Sequence, residues 1–229
     1  MRLTSYGHSC FLVELPGARL VFDPYLLRNP AGSTPLTDLP CDYILCTHAH
    51  DDHIADALAL AQLHRATLVA PFELAEHFAN DPSRPNTIDL MPGGGIDLPW
   101  GRIQMTPAIH SSSLELPGGK NLSMGVASGY LVTAAGQSLY HAGDTALFSD
   151  MALIGRGSLD LALLPIGDRY TMGPADALSA LDLLRPRLAV PMHYNTTPVI
   201  RQDPHAFATA AARLGHAVKV LGLRESLDC

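Results

Sequence analysis

The chain has 229 residues, 47% apolar and 16% charged, a composition that excludes disorder and suits one domain with a sizeable core. Its formal net charge is −7, with only 15 Lys plus Arg and no basic block. A nucleic-acid polymer is therefore not expected as a partner, because a phosphate backbone is held by many cationic contacts. No apolar run reaches the length of a membrane span, and the first residues carry no apolar leader segment. Cys10, Cys41, Cys46 and Cys229 are accordingly expected as reduced thiols of a cytoplasmic protein with no membrane partner.

In chain order, Cys10–Leu15 and Arg19–Phe22 predict a β-hairpin turned by Pro16-Gly17, the second strand ending at Asp23-Pro24. A Pro/Gly/Asn/Thr-rich loop runs from about Leu26 to Pro40. The short apolar strand Tyr43–Cys46 runs into Thr47-His48, and Asp51 or Asp52 offers an N-cap for a helix through about Leu63. A strand at Thr67–Ala70 and a helix at Phe72–Asn80 follow. Strands are predicted at Ile103–Thr106, as a hairpin at Val126–Thr133 and Gln137–His141, and at Asp160–Leu164. Pro174–Leu184 reads as a helix with proline in its first turn. Leu188–Pro191 is a strand leading to His193, Pro204–Leu214 a helix, and Val218–Leu221 a closing strand. The two halves echo one another faintly: Cys41–His48 and Arg185–His193 are each a short apolar strand ending in histidine. That pattern predicts an α+β fold, a four-layer αββα sandwich of two packed mixed β-sheets with helices outside, formed as one domain over residues 1–229.

The chemistry concentrates in His48-Ala49-His50-Asp51-Asp52-His53. Imidazole nitrogens and carboxylate oxygens suit divalent zinc, manganese or iron. A loop between strand and helix can aim His48 and His50 one way and Asp52 and His53 another, serving two adjacent ions. The plain alternative is a polar helix start with incidental histidines, which four potential ligands within six positions disfavour. One segment cannot complete two sites, so further ligands are expected at later strand ends. His110, Asp144 and His193 stand at such positions. Ser111–Ser113 lack a nucleophile elbow, and Gly93–Gly95 lack a phosphate-loop pattern. His64, His77, His205 and His216 fall on or near helices without ligand neighbours. His141 sits within a strand and is expected to pack.

These residues resemble the metallo-β-lactamase superfamily. The resemblance spans nearly the whole chain and narrows to a small bacterial family of metal-dependent hydrolases of unproven substrate, related to the ascorbate-6-phosphate lactonase branch. It is carried by Gly7-His8-Ser9, Phe22-Asp23-Pro24, Thr47–His53, His141–Thr145, Leu164–Asp168, Tyr170–Pro174 and Met192–Thr196. It implies two divalent ions, zinc first and manganese or iron otherwise. His48, His50 and His110 would hold one ion. Asp52, His53 and His193 would hold the other, and Asp144 would bridge them. Asp23 would orient a ligand rather than bind metal. The implied reaction is attack by a metal-bridging hydroxide on an ester, lactone, amide or phosphoester of a small molecule. Asp52, His8 and Asn195 are the expected catalytic positions beside the ions. Phosphodiesterase or nuclease activity and a non-catalytic metal sensor remain open at this point, as does a homo-oligomeric state.

Overall fold

The structure is a computed structural model that describes residues 1–229. Its strands are β1 (Arg2–Ser5), β2 (Phe11–Leu15), β3 (Ala18–Phe22), β4 (Tyr43–Leu45), β5 (Thr67–Pro71), β6 (Thr87–Leu90), β7 (Gly95–Leu98), β8 (Gly101–Pro107), β9 (Ser113–Leu116), β10 (Lys120–Ser123), β11 (Ser128–Ala134), β12 (Gln137–His141), β13 (Leu161–Pro165), β14 (Leu188–Met192) and β15 (Ser226–Asp228). Its helices are α1 (Asp51–Ile54), α2 (Ala57–His64), α3 (Phe72–Ala79), α4 (Met151–Ile154), α5 (Pro174–Leu184) and α6 (Pro204–Arg213). One sheet runs β15-β1-β2-β3-β4-β5-β6 and the other β14-β13-β12-β11-β8-β7, while β9 and β10 pair separately as a hairpin.

Strand periodicity explains the layering. Leu20, Phe22, Leu45 and Val69 face the second sheet and meet Ile103, Met105, Tyr130 and Val132 in the central core. Their neighbours Val21, Ile44 and Leu68 point the other way, onto Leu60, Leu74 and Phe78 of the outer helices. Successive side chains of a strand alternate between faces, so both faces of the first sheet are buried by one short apolar pattern. Leu181 and Leu184 of α5 and Phe207 of α6 complete the packing on the second sheet. The result is the αββα sandwich that the two echoing halves predict.

The topology sets the site. Strands β3, β4, β5 and β6 are mutually parallel, as are β12, β13 and β14. Strand β1 runs with β3 through the antiparallel β2, and β8 runs with β12 through the antiparallel β11. The carboxyl ends of β1, β3, β4, β8, β12 and β14 therefore share one rim. His8, Asp23, His48, His110, Asp144 and His193 all follow those ends. Open α/β sheets bind ligands at this kind of edge.

Two expected elements differ from the structure. The helix expected from Asp51 or Asp52 to Leu63 is two helices, α1 and α2, and the N-cap position of α1 is His50. Asp56, at the break, accepts backbone N–H bonds from Leu26 and Leu27 at 2.6 and 2.9 Å, so its carboxylate anchors the following-strand loop instead of capping α2. Val218–Leu221 forms only one bridge, Ala189 to Val218, and the closing strand is β15 on the other sheet. The terminal strands β1 and β15 have too few residues to show an alternating pattern in the sequence. No helix is long and apolar enough to cross a membrane.

Cys10, Cys41 and Cys46 are buried and unpaired, and Cys229 is exposed. Burial pushes the Cys41 thiol up to about 12, and it raises Cys10 and Cys46 as well. Since the thiolate is the reactive form, a disulfide reagent at mildly alkaline pH should count one thiol in native protein. All four cysteines should react after denaturation. Rapid reaction of a second thiol in the native state would contradict this core.

Candidate metal centre

The site begins at Asp23, which is fully buried at the end of β3 with a positive φ of 42°. Its Oδ1 accepts the Thr47 backbone N–H at 2.8 Å, and its Oδ2 accepts the Thr47 hydroxyl at 2.8 Å. Oδ2 also accepts from His53 Nδ1 at 2.7 Å. Because Thr47 spends its only hydroxyl proton on Asp23, its Oγ1 can serve His48 Nδ1, 3.0 Å away, only as an acceptor. His48 therefore carries its proton on Nδ1. Both His48 and His53 are thereby turned so that Nε2 faces the rim.

Two groups of donor atoms converge there, and a third, His48, His53 and Asp144, links them. His48, His50 and His110 form one, with every donor atom within 4.8 Å of the others. The second, within the same limit, contains Asp52, His53, His193 and also His8. Asp144, buried after β12, lies between them. Its Oδ2 is 2.9 Å from His193 Nε2, 3.5 Å from His53 Nε2 and 3.7 Å from His110 Nε2.

The electrostatics favour a cation. Burial lowers His48 well below the ordinary imidazole value, and it lowers His50 and His110 too, so their lone pairs are available at neutral pH. Burial alone would raise the Asp144 carboxyl, but His193 and His53 beside it outweigh burial and hold it well below the usual carboxylate range. Burial would likewise lower His53, yet Asp144 and Asp23 overcome it and raise His53 well above its ordinary value. The proton on His53 thus sits where the cluster demands positive charge. His53 Nε2 and Asp144 Oδ1 are buried without hydrogen-bond partners, although such atoms are normally paired. Divalent ions fit these residues: the donors are imidazole and carboxylate, and His53 Nε2 and a carboxylate oxygen of Asp144 are left without a protein partner.

The three expected catalytic positions are placed differently. Asp52, partly exposed at the start of α1, has its Oδ2 3.0 Å from His8 Nε2. His8 is nearly buried, and burial pulls it down to about 4 against the opposing effect of Asp52. Asn195 is exposed, and its Oδ1 accepts the Gln202 backbone N–H at 2.9 Å, which leaves its amide N–H groups free. Asp168 and Thr171 lie on a loop tied to the centre by Met172, whose N–H donates to the Thr145 carbonyl at 2.9 Å. His141 packs: its ring stacks on Phe22 at a 3° interplanar angle, and its Nε2 meets the Ser9 carbonyl at 3.0 Å.

Sequence reasoning passed over Thr47 and Thr196. Thr47 couples Asp23 to His48, and Thr196 Oγ1 lies 2.8 Å from His8 Nδ1. The available signal was position: Thr47 immediately precedes the first ligand of the motif, and Thr196 closes the Met192–Thr196 segment. Five non-glycine residues at this rim, His8, Asp23, Asp168, His193 and Asn195, have positive φ, a conformation that concentrates where a site is held in a fixed geometry.

This fold and ligand rim define a metallo-hydrolase of the β-lactamase class. The model of the "Beta-lactamase superfamily domain" matches residues 18–194. A "UPF0173 metal-dependent hydrolase" of Opitutus terrae is 64% identical over the whole of both chains, and one of Enterococcus faecalis is 47% identical over 90% of this chain and 92% of its own. Among solved structures, the metallo-hydrolase Igni18 of Ignicoccus hospitalis superposes with a TM-score of 0.90 at 38% identity, covering 99% of this chain and 97% of that one. The chain belongs to the UPF0173 metal-dependent hydrolases of the β-lactamase superfamily, and it is a metal-dependent enzyme.

Proposed function

We propose that the chain hydrolyses an ester, lactone, amide or phosphoester of a small molecule in the cytoplasm, using two divalent ions, zinc in the first instance. The observation that carries the two-ion reading is the position of Asp144 Oδ2, within 3.7 Å of imidazoles from both donor groups. His48, His50 and His110 would hold one ion, Asp52, His53 and His193 the other, with Asp144 shared. Ions bound there supply a Lewis acid for the scissile carbonyl or phosphoryl group and make water a competent nucleophile near neutral pH.

The chain's own residues do the rest. Asp23 and Thr47 fix the His48 and His53 rings, so the donors need no reorganisation. Asp52, the more accessible carboxylate, positions the attacking water. His8 is near enough to Asp52 to share in handling the proton passed to the leaving group. The free amide of Asn195 offers a hydrogen bond to substrate. A cavity of about 230 Å³ lies on the far side of His8 and Asn195 from the ion ligands, walled in part by Phe11, Tyr194 and Leu221, and would take a modest apolar part of a substrate that reaches past His8.

Metal analysis of purified protein, followed by an ester, lactone and phosphodiester panel, tests this reading. The expected result is two ions per chain and turnover that a chelator abolishes and added divalent metal restores. Fewer than two ions at full loading, or no metal-dependent turnover in any substrate class, would refute it.

A further inference from the structure

The second donor group contains one imidazole more than the two-ion reading uses. His8 Nε2 lies with the donor atoms of Asp52, His53 and His193, all mutually within 4.8 Å. Its ring is 4.1 Å, centroid to centroid, from that of His193 and 5.6 Å from that of His53. We infer that His8 is itself a ligand of the second ion, bound through Nε2.

The surroundings of His8 are built to hold it there. Its backbone is in the left-handed region at φ 55°, and its carbonyl accepts the His193 N–H at 3.0 Å, fastening the β1–β2 loop to the segment after β14. Gly7 precedes it at φ 85°, where an added Cβ would meet Ala31 Cβ at 2.8 Å, so the loop admits little shift. The far nitrogen, Nδ1, is 2.8 Å from Thr196 Oγ1. A metal-bound imidazole ordinarily gives its other N–H to an oxygen of this kind. With Nδ1–H donated to Thr196, the Nε2 lone pair faces Asp52 Oδ2 at 3.0 Å. In that tautomer the lone pair and the carboxylate repel unless a cation lies between them, whereas the other tautomer makes an ordinary Nε2–H···Oδ2 bond; a shifted Nδ1–H resonance distinguishes the two.

The inference rests on the two-ion reading, gives His8 Nε2 a ligand's role in place of proton handling, and changes what the second site would select. With Asp52, His53, His193, the shared Asp144 and His8, it offers five protein ligands. The His48 site has four, counting Asp144. Zinc prefers four, whereas manganese, iron and cobalt accept five or six nitrogen and oxygen donors. The second site would therefore favour one of those ions.

The test is a Co2+ titration of chelator-stripped protein, followed by calorimetry and by proton NMR of the loaded state. An imidazole bound to Co2+ through Nε2 displays a strongly shifted, exchangeable Nδ1–H resonance, whereas a merely hydrogen-bonded one does not. Wild type is expected to bind two ions. His8→Asn, which tolerates left-handed backbone, is expected to lose one shifted N–H signal. Its second binding step should weaken by at least about 100-fold, the upper end of what losing an orienting partner costs, with the first step unchanged. His8→Gln, able to reach Asp52 with an amide N–H, should fail to restore the second step. Recovery of that step in His8→Gln, or an unchanged set of shifted resonances in His8→Asn, would overturn the inference and leave the two-ion reading intact. A wild type that binds only one Co2+ would overturn both. Should His8→Asn fail to melt cooperatively, the wild-type spectrum with Thr196→Val decides, since only a ligated His8 would shift its Nδ1–H resonance in that variant.

Discussion

Asp144→Asn is expected to abolish metal-dependent turnover while leaving the fold standing. Asp144 Oδ2 is the oxygen that approaches His53, His110 and His193 together, so this one carboxylate belongs to both donor groups. The amide is isosteric but uncharged and supplies a single acceptor oxygen. Stabilisation of developing charge by bound metal is worth several kcal/mol, and each 1.36 kcal/mol is tenfold in rate, so a loss of at least about a thousandfold follows. The ion content should fall from two toward one or none, which elemental analysis measures without any substrate. The thermal transition of the metal-free protein should move by only a few degrees. Without the Asp144 charge, one of the two carboxylates that raise His53 is gone, so His53 can shed its proton rather than remain an under-compensated buried cation, and this limits the usual cost of breaking a buried charge pair. A variant that kept two ions and wild-type turnover would remove Asp144 from the centre.

The HxHxDH run was legible because ligand chemistry fixes residue type and spacing together, and the apolar strands leading to His48, Asp144 and His193 could be read because each is a short buried run stopped by polar residues. The hairpin of β2 and β3 was equally plain, with Pro16-Gly17 at its turn. What could not be read depends on distant chain. Strands β1 and β15 pair residues more than two hundred positions apart, and neither has a periodic signature of its own. The break between α1 and α2 reflects the claim of Leu26 and Leu27 on Asp56, a tertiary demand that local helix propensity does not record. His8 could be singled out from the sequence, but its neighbours could not: Asp52 and Thr196 lie 44 and 188 residues away. The same holds for Asn195, whose amide oxygen belongs to a turn with Gln202.

Asp23→Ala should be the most destabilising single change at the rim, although Asp23 is expected to touch no metal. The side chain is fully buried and satisfies three donors: the Thr47 amide, the Thr47 hydroxyl and His53 Nδ1. Removing it strands all three away from water, and an unsatisfied buried donor costs about 1–3 kcal/mol. The residue also has a positive φ, 42°, which alanine tolerates less well than aspartate or asparagine. A total near 3–5 kcal/mol, the range for stripping one partner from a buried charge pair, corresponds to a fall in melting temperature of about 10 °C for a chain of this size. The chemical consequence is separate. With Asp23 gone, nothing holds the His53 proton on Nδ1, and Thr47 is free to turn its hydroxyl toward His48 Nδ1 as a donor, which reverses the tautomer that presents Nε2 to the rim. Metal affinity should therefore drop by about 10–100-fold, as it does when an orienting partner is lost. Asp23→Asn separates the two effects. It keeps an acceptor and the backbone preference, so it should recover a substantial part of the lost stability. Its amide cannot accept from three donors, so metal affinity should stay low. Melting curves with and without chelator, beside a metal titration, read both quantities. If Asp23→Ala bound metal as tightly as wild type, the Asp23–Thr47 pair would be a folding feature alone, and the orientation of His48 and His53 would have to come from the metal itself.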